Sequence, residues 1–137
     1  MQADEALFSV DAYVQRHWAP PNNPITKTSR WGSSKPIVVF GVISAARGVV
    51  YWHYAESSFS AQDICDALTQ VRAEVGNEAK IALALDNASI HRAKIVQQLI
   101  ATPEVAIEPL WNLAARPDLL TVGIEQVWAR AKYLYRC

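Results

Sequence analysis

The sequence predicts an α/β domain in which helices pack on a mixed β-sheet. Two strongly apolar stretches, residues 37–43 and 49–54, are separated only by the turn at 44–48, which makes them an antiparallel hairpin. Helix-period segments then alternate with short apolar runs to the end of the chain, the pattern of strands linked by packed helices. One of those runs, Ile81-Ala-Leu-Ala-Leu85, is closed at once by Asp86 and Asn87. An apolar run that short, bounded by turn-formers, fits a strand buried on both faces.

Taken in order, residues 7–14 (Leu-Phe-Ser-Val-Asp-Ala-Tyr-Val) hold enough β-formers for a strand or hairpin arm. The acidic pair Asp4-Glu5 stands before it, with no apolar strand ahead of it. Residues 15–36 are turn-rich, because Pro20, Pro21, Asn22, Asn23 and Pro24 interrupt any regular element. After the hairpin, Ser60 and Asp63 have the spacing of a capping box, and Ile64, Leu68, Val71 and Val75 form one helical face. Gly76 is placed to end that helix. The strand at 80–86 leads to a second helix at 89–101, with Ile95 and Leu99 inward and Val96 and Ile100 as further candidates. Thr102-Pro103 stops it, and 105–110 is another short strand. An irregular connection at 112–123 precedes a last helix, which begins near 121–124 and carries Ile124, Val127, Trp128, Ala131 and Tyr135 on one side. The order is β, ββ, α, β, α, β, α, in a single domain by length.

With 137 residues and 51% hydrophobic composition, the chain can bury a core and is not a disordered polymer. The formal net charge of zero gives no general pull toward nucleic acid or anionic membrane, so a polyanion would have to be met by a local patch. One segment offers such a patch. No acid occurs between Asp11 and Glu56, while Arg16, Lys27, Arg30, Lys35 and Arg47 fall inside. This reads either as an ordinary solvated loop or as a phosphate-contacting surface. Cys65 and Cys137 make neither a metal pattern nor a disulfide framework, which points to a reducing compartment. There is no signal-peptide pattern and no apolar run of membrane-spanning length, so an intracellular protein without a membrane partner is expected.

The chemistry centres on Asp86. A buried strand that ends in a carboxylate presents it at the carboxyl edge of the sheet, where ligands of α/β proteins bind. The acids placed to join it are Asp4, Glu5, Asp11, Asp118 and Glu125. Glu125 falls in the first turns of the last helix, where it either complements the helix dipole or aims at the strand ends. Carboxylates converging on one point repel one another and require protons or divalent cations. All-oxygen ligands suit Mg²⁺ or Mn²⁺, and a pair of such ions is the standard device for in-line attack on a phosphodiester. His91, near the start of the second helix, could face the site or sit at the surface. His53, among aromatics, reads as packing, and His17 belongs to the basic loop. No zinc spacing, Gly-rich phosphate loop or nucleophile elbow is present.

Three segments resemble the mariner-type DDE transposases. Leu85-Asp-Asn-Ala-Ser-Ile-His-Arg92 is similar to the family's D-N-A-x-x-H segment around its second aspartate. Asp4-Glu-Ala-Leu-Phe8, with Trp18-Ala-Pro20 after it, resembles the first-aspartate segment, D-E-x-x-F followed by a W-A-P/K turn. Arg116-Pro-Asp-Leu119, then Ile124-Glu-Gln-Val-Trp128 and Lys132, resemble the segment S-P-D-L-N-P-I-E-x-x-W that carries the third acid. In this chain Leu120 replaces the family's Asn, Thr121-Val-Gly123 replaces a single proline, and the spacing from Asp86 to Glu125 is a few residues longer than is common in the family.

The resemblance implies an RNase H-like core and Mg²⁺-dependent (or Mn²⁺-dependent) DNA cleavage and strand transfer. The metal-binding catalytic triad would be Asp4, Asp86 and Glu125, with Asn87 and His91 near the site. Transposon-end and target DNA would be the partners, Arg16, Lys27, Arg30 and Lys35 the candidate contacts, and a homodimer is left open. The family's helix-turn-helix region and the first half of its first strand have no counterpart, so Asp4 is expected on a shortened strand with an exposed edge. Two alternatives remain: a catalytically silent remnant that binds DNA or a protein, and an α/β domain in which these acids are only caps and surface residues.

Overall fold

The computed structural model describes residues 1–8, 36–112 and 122–135. Strands β1 (Gln2–Phe8), β2 (Ile37–Ser44) and β3 (Gly48–Ala55) are followed by helix α1 (Ala61–Val75), β4 (Ile81–Leu85), α2 (Lys94–Ile100), β5 (Ile107–Trp111) and α3 (Val122–Tyr135). They form one five-stranded sheet in the order β3-β2-β1-β4-β5. The first three strands pair antiparallel, whereas β1 with β4 and β4 with β5 pair parallel. The mixed sheet and the order of elements are those the sequence predicts.

The position of β1 is a correction. The sequence places a strand at 7–14, but β1 begins at Gln2 and carries Asp4 and Glu5 in mid-strand. Asp4 pairs with Gly41 and Glu5 with Phe40 on β2. On the other side Gln2 aligns with Ala84 of β4, and the Met1 ammonium donates to the Ala82 carbonyl at 2.8 Å. β1 is thus the central strand, and the sheet edges are β3 and β5.

The two faces of the sheet are covered differently. On one, Ala3, Phe40 and Val42 pack with Ile64, Leu68 and Val71 of α1 and with Val96 and Ile100 of α2. The α1 capping box is formed as predicted: the Ser60 hydroxyl accepts from the Asp63 amide at 3.3 Å, and the Asp63 carboxylate accepts from the Ser60 amide at 2.7 Å. On the other face α3 lies across β1 and β2, with Ile124 fully buried and the indole of Trp128 edge-on to Phe8.

Two details of the helices differ from expectation. Residues 89–92 are turns, and α2 starts only at Lys94. Its buried residues are Val96 and Ile100, while Ile95 is exposed and Leu99 half-buried. In α3, Val127 lies at the exposed margin of the expected inward face.

Arg72 is a buried cation that no sequence pattern announces. Its guanidinium donates to the carbonyls of Val105 (2.6 Å), Gly76 (3.0 Å), Ala79 (2.7 Å) and Ala106 (2.8 Å). It ties the end of α1, the approach to β4 and the approach to β5 together, and Ala106 there adopts a left-handed φ of 44°.

Candidate active site

The strand alternation of β1 sorts its acids. Side chains two apart share a face. Gln2 and Phe8 both touch α3: the Gln2 amide oxygen accepts from the Ile124 backbone N–H at 3.0 Å, and Phe8 meets Trp128. Asp4, between them, faces the same way. Two residues beyond the Gln2–Ala84 pair, Asp4 on β1 is level with Asp86, just past the end of β4. Gly123 packs so tightly on Gln2 that an added Cβ would fall 2.7 Å from its amide oxygen. The first turn of α3, which contains Glu125, is therefore docked on the strand that carries Asp4.

Electrostatics agrees with this placement. Burial pushes the Asp4 carboxyl up to about 6, and the charges of Asp86, Glu5 and Glu125 push it the same way against a hydrogen bond from the Glu5 backbone. The structure thus brings Asp4, Asp86 and Glu125, from β1, the end of β4 and the start of α3, into one electrostatic cluster.

Asp86 is held from its own loop and from across the sheet. Its Oδ1 accepts from the Ala88 N–H at 2.9 Å, an Asx-type turn, and meets His91 Nδ1 at 2.6 Å. His91 is fully buried, and its Nε2 meets Glu5 Oε1 at 2.8 Å. Burial alone would lower the His91 pKa. The hydrogen bonds and charges of Asp86 and Glu5 outweigh it and push the value up to about 9, so the ring is an imidazolium between two carboxylates. The His91 hydrogen bond is also the main cause that holds Asp86 below the usual carboxylate range.

Asn87 does not touch Asp86. Its Nδ2 donates to the Asn112 carbonyl at 2.5 Å, and its Oδ1 accepts from Arg92 Nε (3.1 Å) and Nη2 (2.5 Å). The Arg92 guanidinium lies over the Trp111 ring at 4.3 Å. Asn87 thus braces the loop after β4 against the end of β5, with a cation at the rim of the site. Gln2 is the residue the sequence pattern does not announce. Glu5 stands among the acids near Asp86 but has no role from spacing alone, and its partner His91 lies 86 positions away.

Among the described residues, no three His, Cys, Asp or Glu side chains stand close enough to share one ion. The donor set nonetheless fits a hard divalent cation in its chemistry: three carboxylates, oxygen only, on a strand, a strand end and a helix start. Asp11, Asp118, His17 and the basic candidates Arg16, Lys27, Arg30 and Lys35 lie outside the described residues.

A family model described as DDE superfamily endonuclease matches residues 1–135. The chain belongs to that family. As a DDE superfamily endonuclease it also has the expected fold. It superposes on the Mos1 transposase paired-end complex with left transposon end at a TM-score of 0.73 and 21% identity, over 97% of this chain and 40% of that one. The catalytic domain of Mos1 mariner transposase matches at a TM-score of 0.66 and 16% identity, over 99% of this chain and 60% of that one. The Mos1 catalytic domain with Raltegravir and Mg gives 0.69 and 16%, over 99% and 61%. The sheet is therefore RNase H-like, as in the mariner catalytic domain. No curated protein matches. The chain spans about two-fifths of the Mos1 chain in the paired-end complex.

Proposed function

We propose that this chain is the catalytic core of a DNA strand-cleaving and strand-transferring enzyme of the transposase type, with Asp4, Asp86 and Glu125 as its acidic triad and Mg²⁺ or Mn²⁺ as its cofactor. The observation that carries this reading is the register that sets Asp4 on β1 level with Asp86 past β4, with the first turn of α3, which contains Glu125, docked on the same strand. Bound divalent cations would neutralise these charges and supply Lewis-acid activation of the attacking and leaving oxygens of a phosphodiester. The chain's own part is to hold the three acids on a strand, just past a strand end and at a helix start. Family membership and the DNA complexes of the Mos1 relatives support transposon-end and target DNA as partners.

The test is cleavage of supercoiled and end-labelled linear DNA by the purified chain in Mn²⁺, compared with Asp86→Asn. Nicking that disappears in the variant supports the reading, and nicking that survives it refutes the reading. One observation favours a second reading, a core that binds DNA or protein without cutting: the acids do not stand around a single ion. DNA retention at low salt, with neither nicking nor saturable Mn²⁺ uptake, would select it.

A further inference from the structure

Resting on the triad reading above, we propose that Glu5 is a positioning residue that acts on Asp86 through His91. Glu5 and Asp4 are neighbours on β1 and point to opposite faces of the sheet. Asp4 turns toward α3, and Glu5 reaches the opposite side, where it meets His91 Nε2 at 2.8 Å. The far nitrogen of the same ring meets Asp86 Oδ1 at 2.6 Å. One buried imidazole therefore joins an acid within the central strand β1 to an acid in the loop just past β4.

The ring has little freedom to do anything else. It has no exposed surface, and Phe40, the β2 partner of Glu5, packs against it with centroids 6.1 Å apart. Gln97 donates to the His91 carbonyl at 3.2 Å and fixes the backbone. Held at Nε2 by a carboxylate from the central strand, the ring is fixed in the orientation that aims Nδ1 at Asp86 Oδ1. Asp86 Oδ1 is then engaged twice, by His91 and by the Ala88 amide, which fixes the plane of the carboxylate. Outer residues of this kind orient a carboxylate or histidine ligand, and their loss typically weakens metal affinity ten- to a hundredfold. Glu5 would set the direction of the second aspartate without touching an ion or DNA itself.

The experiment compares the wild-type chain with Glu5→Met, which keeps the volume but has no hydrogen-bonding oxygen, and Glu5→Gln, which keeps one; Glu5→Ala replaces the first if it does not fold. The first readout is the imidazole ¹H–¹⁵N spectrum of the metal-free chain. Wild type and Glu5→Gln should show a protected Nε2–H resonance for His91, and Glu5→Met should lose it. The second is Mn²⁺ affinity by calorimetry, expected about tenfold or more weaker in Glu5→Met and largely restored in Glu5→Gln. A protected Nε2–H resonance unchanged in Glu5→Met, or equal Mn²⁺ affinity in all three chains, overturns the proposal. If wild type itself shows no saturable Mn²⁺ uptake, the metal reading fails, while the ring spectra still decide whether Glu5 directs His91.

Discussion

The indole of Trp128 lies directly on the backbone of Gly41, so that a Cβ at Gly41 would sit 2.6 Å from the ring. Gly41 is also the β2 partner of Asp4, and Trp128 belongs to the helix that carries Glu125. The glycine lets α3 settle onto the sheet beside the first acid. Gly41→Ala should push α3 outward and cost about 1–3 kcal/mol, as overpacking usually does. DNA nicking by the folded fraction should fall further than that loss of stability explains. Chemical denaturation and a nicking assay on the same preparation check both parts.

Gln2 sets the height of α3 on β1. Its amide oxygen accepts from the Ile124 N–H, one of the donors a helix start leaves without an intrahelical partner. Gln2→Ala should cost about 1 kcal/mol, the usual value of a lost cap. It should also loosen the first turn of α3, read as faster amide exchange at Ile124 and Glu125 with little change in α1.

Stability should decline with rising pH in two stages. Asp4 titrates near 6 in the folded chain against an ordinary 3.8, so its protonated form is favoured on folding. That contribution is complete below 3.8 and is lost as the pH rises through 6. It amounts to about 1–2 kcal/mol once solvent screening is allowed for. His91 titrates near 9 against 6.5, so its contribution is complete below 6.5 and is lost as the pH rises through 9. Thermal midpoints measured from pH 4 to 9.5 should show both stages. Asp4→Asn should remove the first, and His91→Gln the second.

Arg72→Met should be among the most damaging substitutions away from the site. It would leave four carbonyls without their donor, three of them in the segments that lead into β4 and β5. A loss of about 2–4 kcal/mol is expected from denaturant unfolding. Because Arg72 lies at the opposite end of β4 from Asp86, nicking per folded molecule should be unchanged.

The parts of this fold that were legible in the sequence are those where local chemistry and burial agree. The hairpin, the Ser60–Asp63 box, the inward face of α1 and the strand at Ile81–Leu85 all follow from neighbouring residues. β1 did not, because a central strand reading Gln-Ala-Asp-Glu looks like an exposed terminus. Its polar side chains are satisfied by Ile124 and His91, 122 and 86 positions away. The start of α2 was missed for a related reason. Residues 89–92 form turns that bring His91 to Asp86 and Glu5, and the helix that follows buries Val96 and Ile100, two of its four candidates, while Ile95 is exposed. Asp86 could be found because its strand announces it. The role of Glu5 could not, because its meaning lies wholly in a contact across the sheet.

The neighbouring acids of β1 serve opposite faces, and this makes the strand intolerant of a change in frame. A slip of one residue against β2 and β4 would turn every side chain over. A slip that brings Glu5 to the position of Asp4 brings Ala6 to that of Glu5, and the opposite slip brings Asp4 to the position of Glu5 and Ala3 to that of Asp4. Either way one post holds an acid of the wrong length and the other an alanine. Single-residue insertions or deletions that shift this frame should therefore be more harmful than most substitutions in β1, since each empties one post and misfits the other.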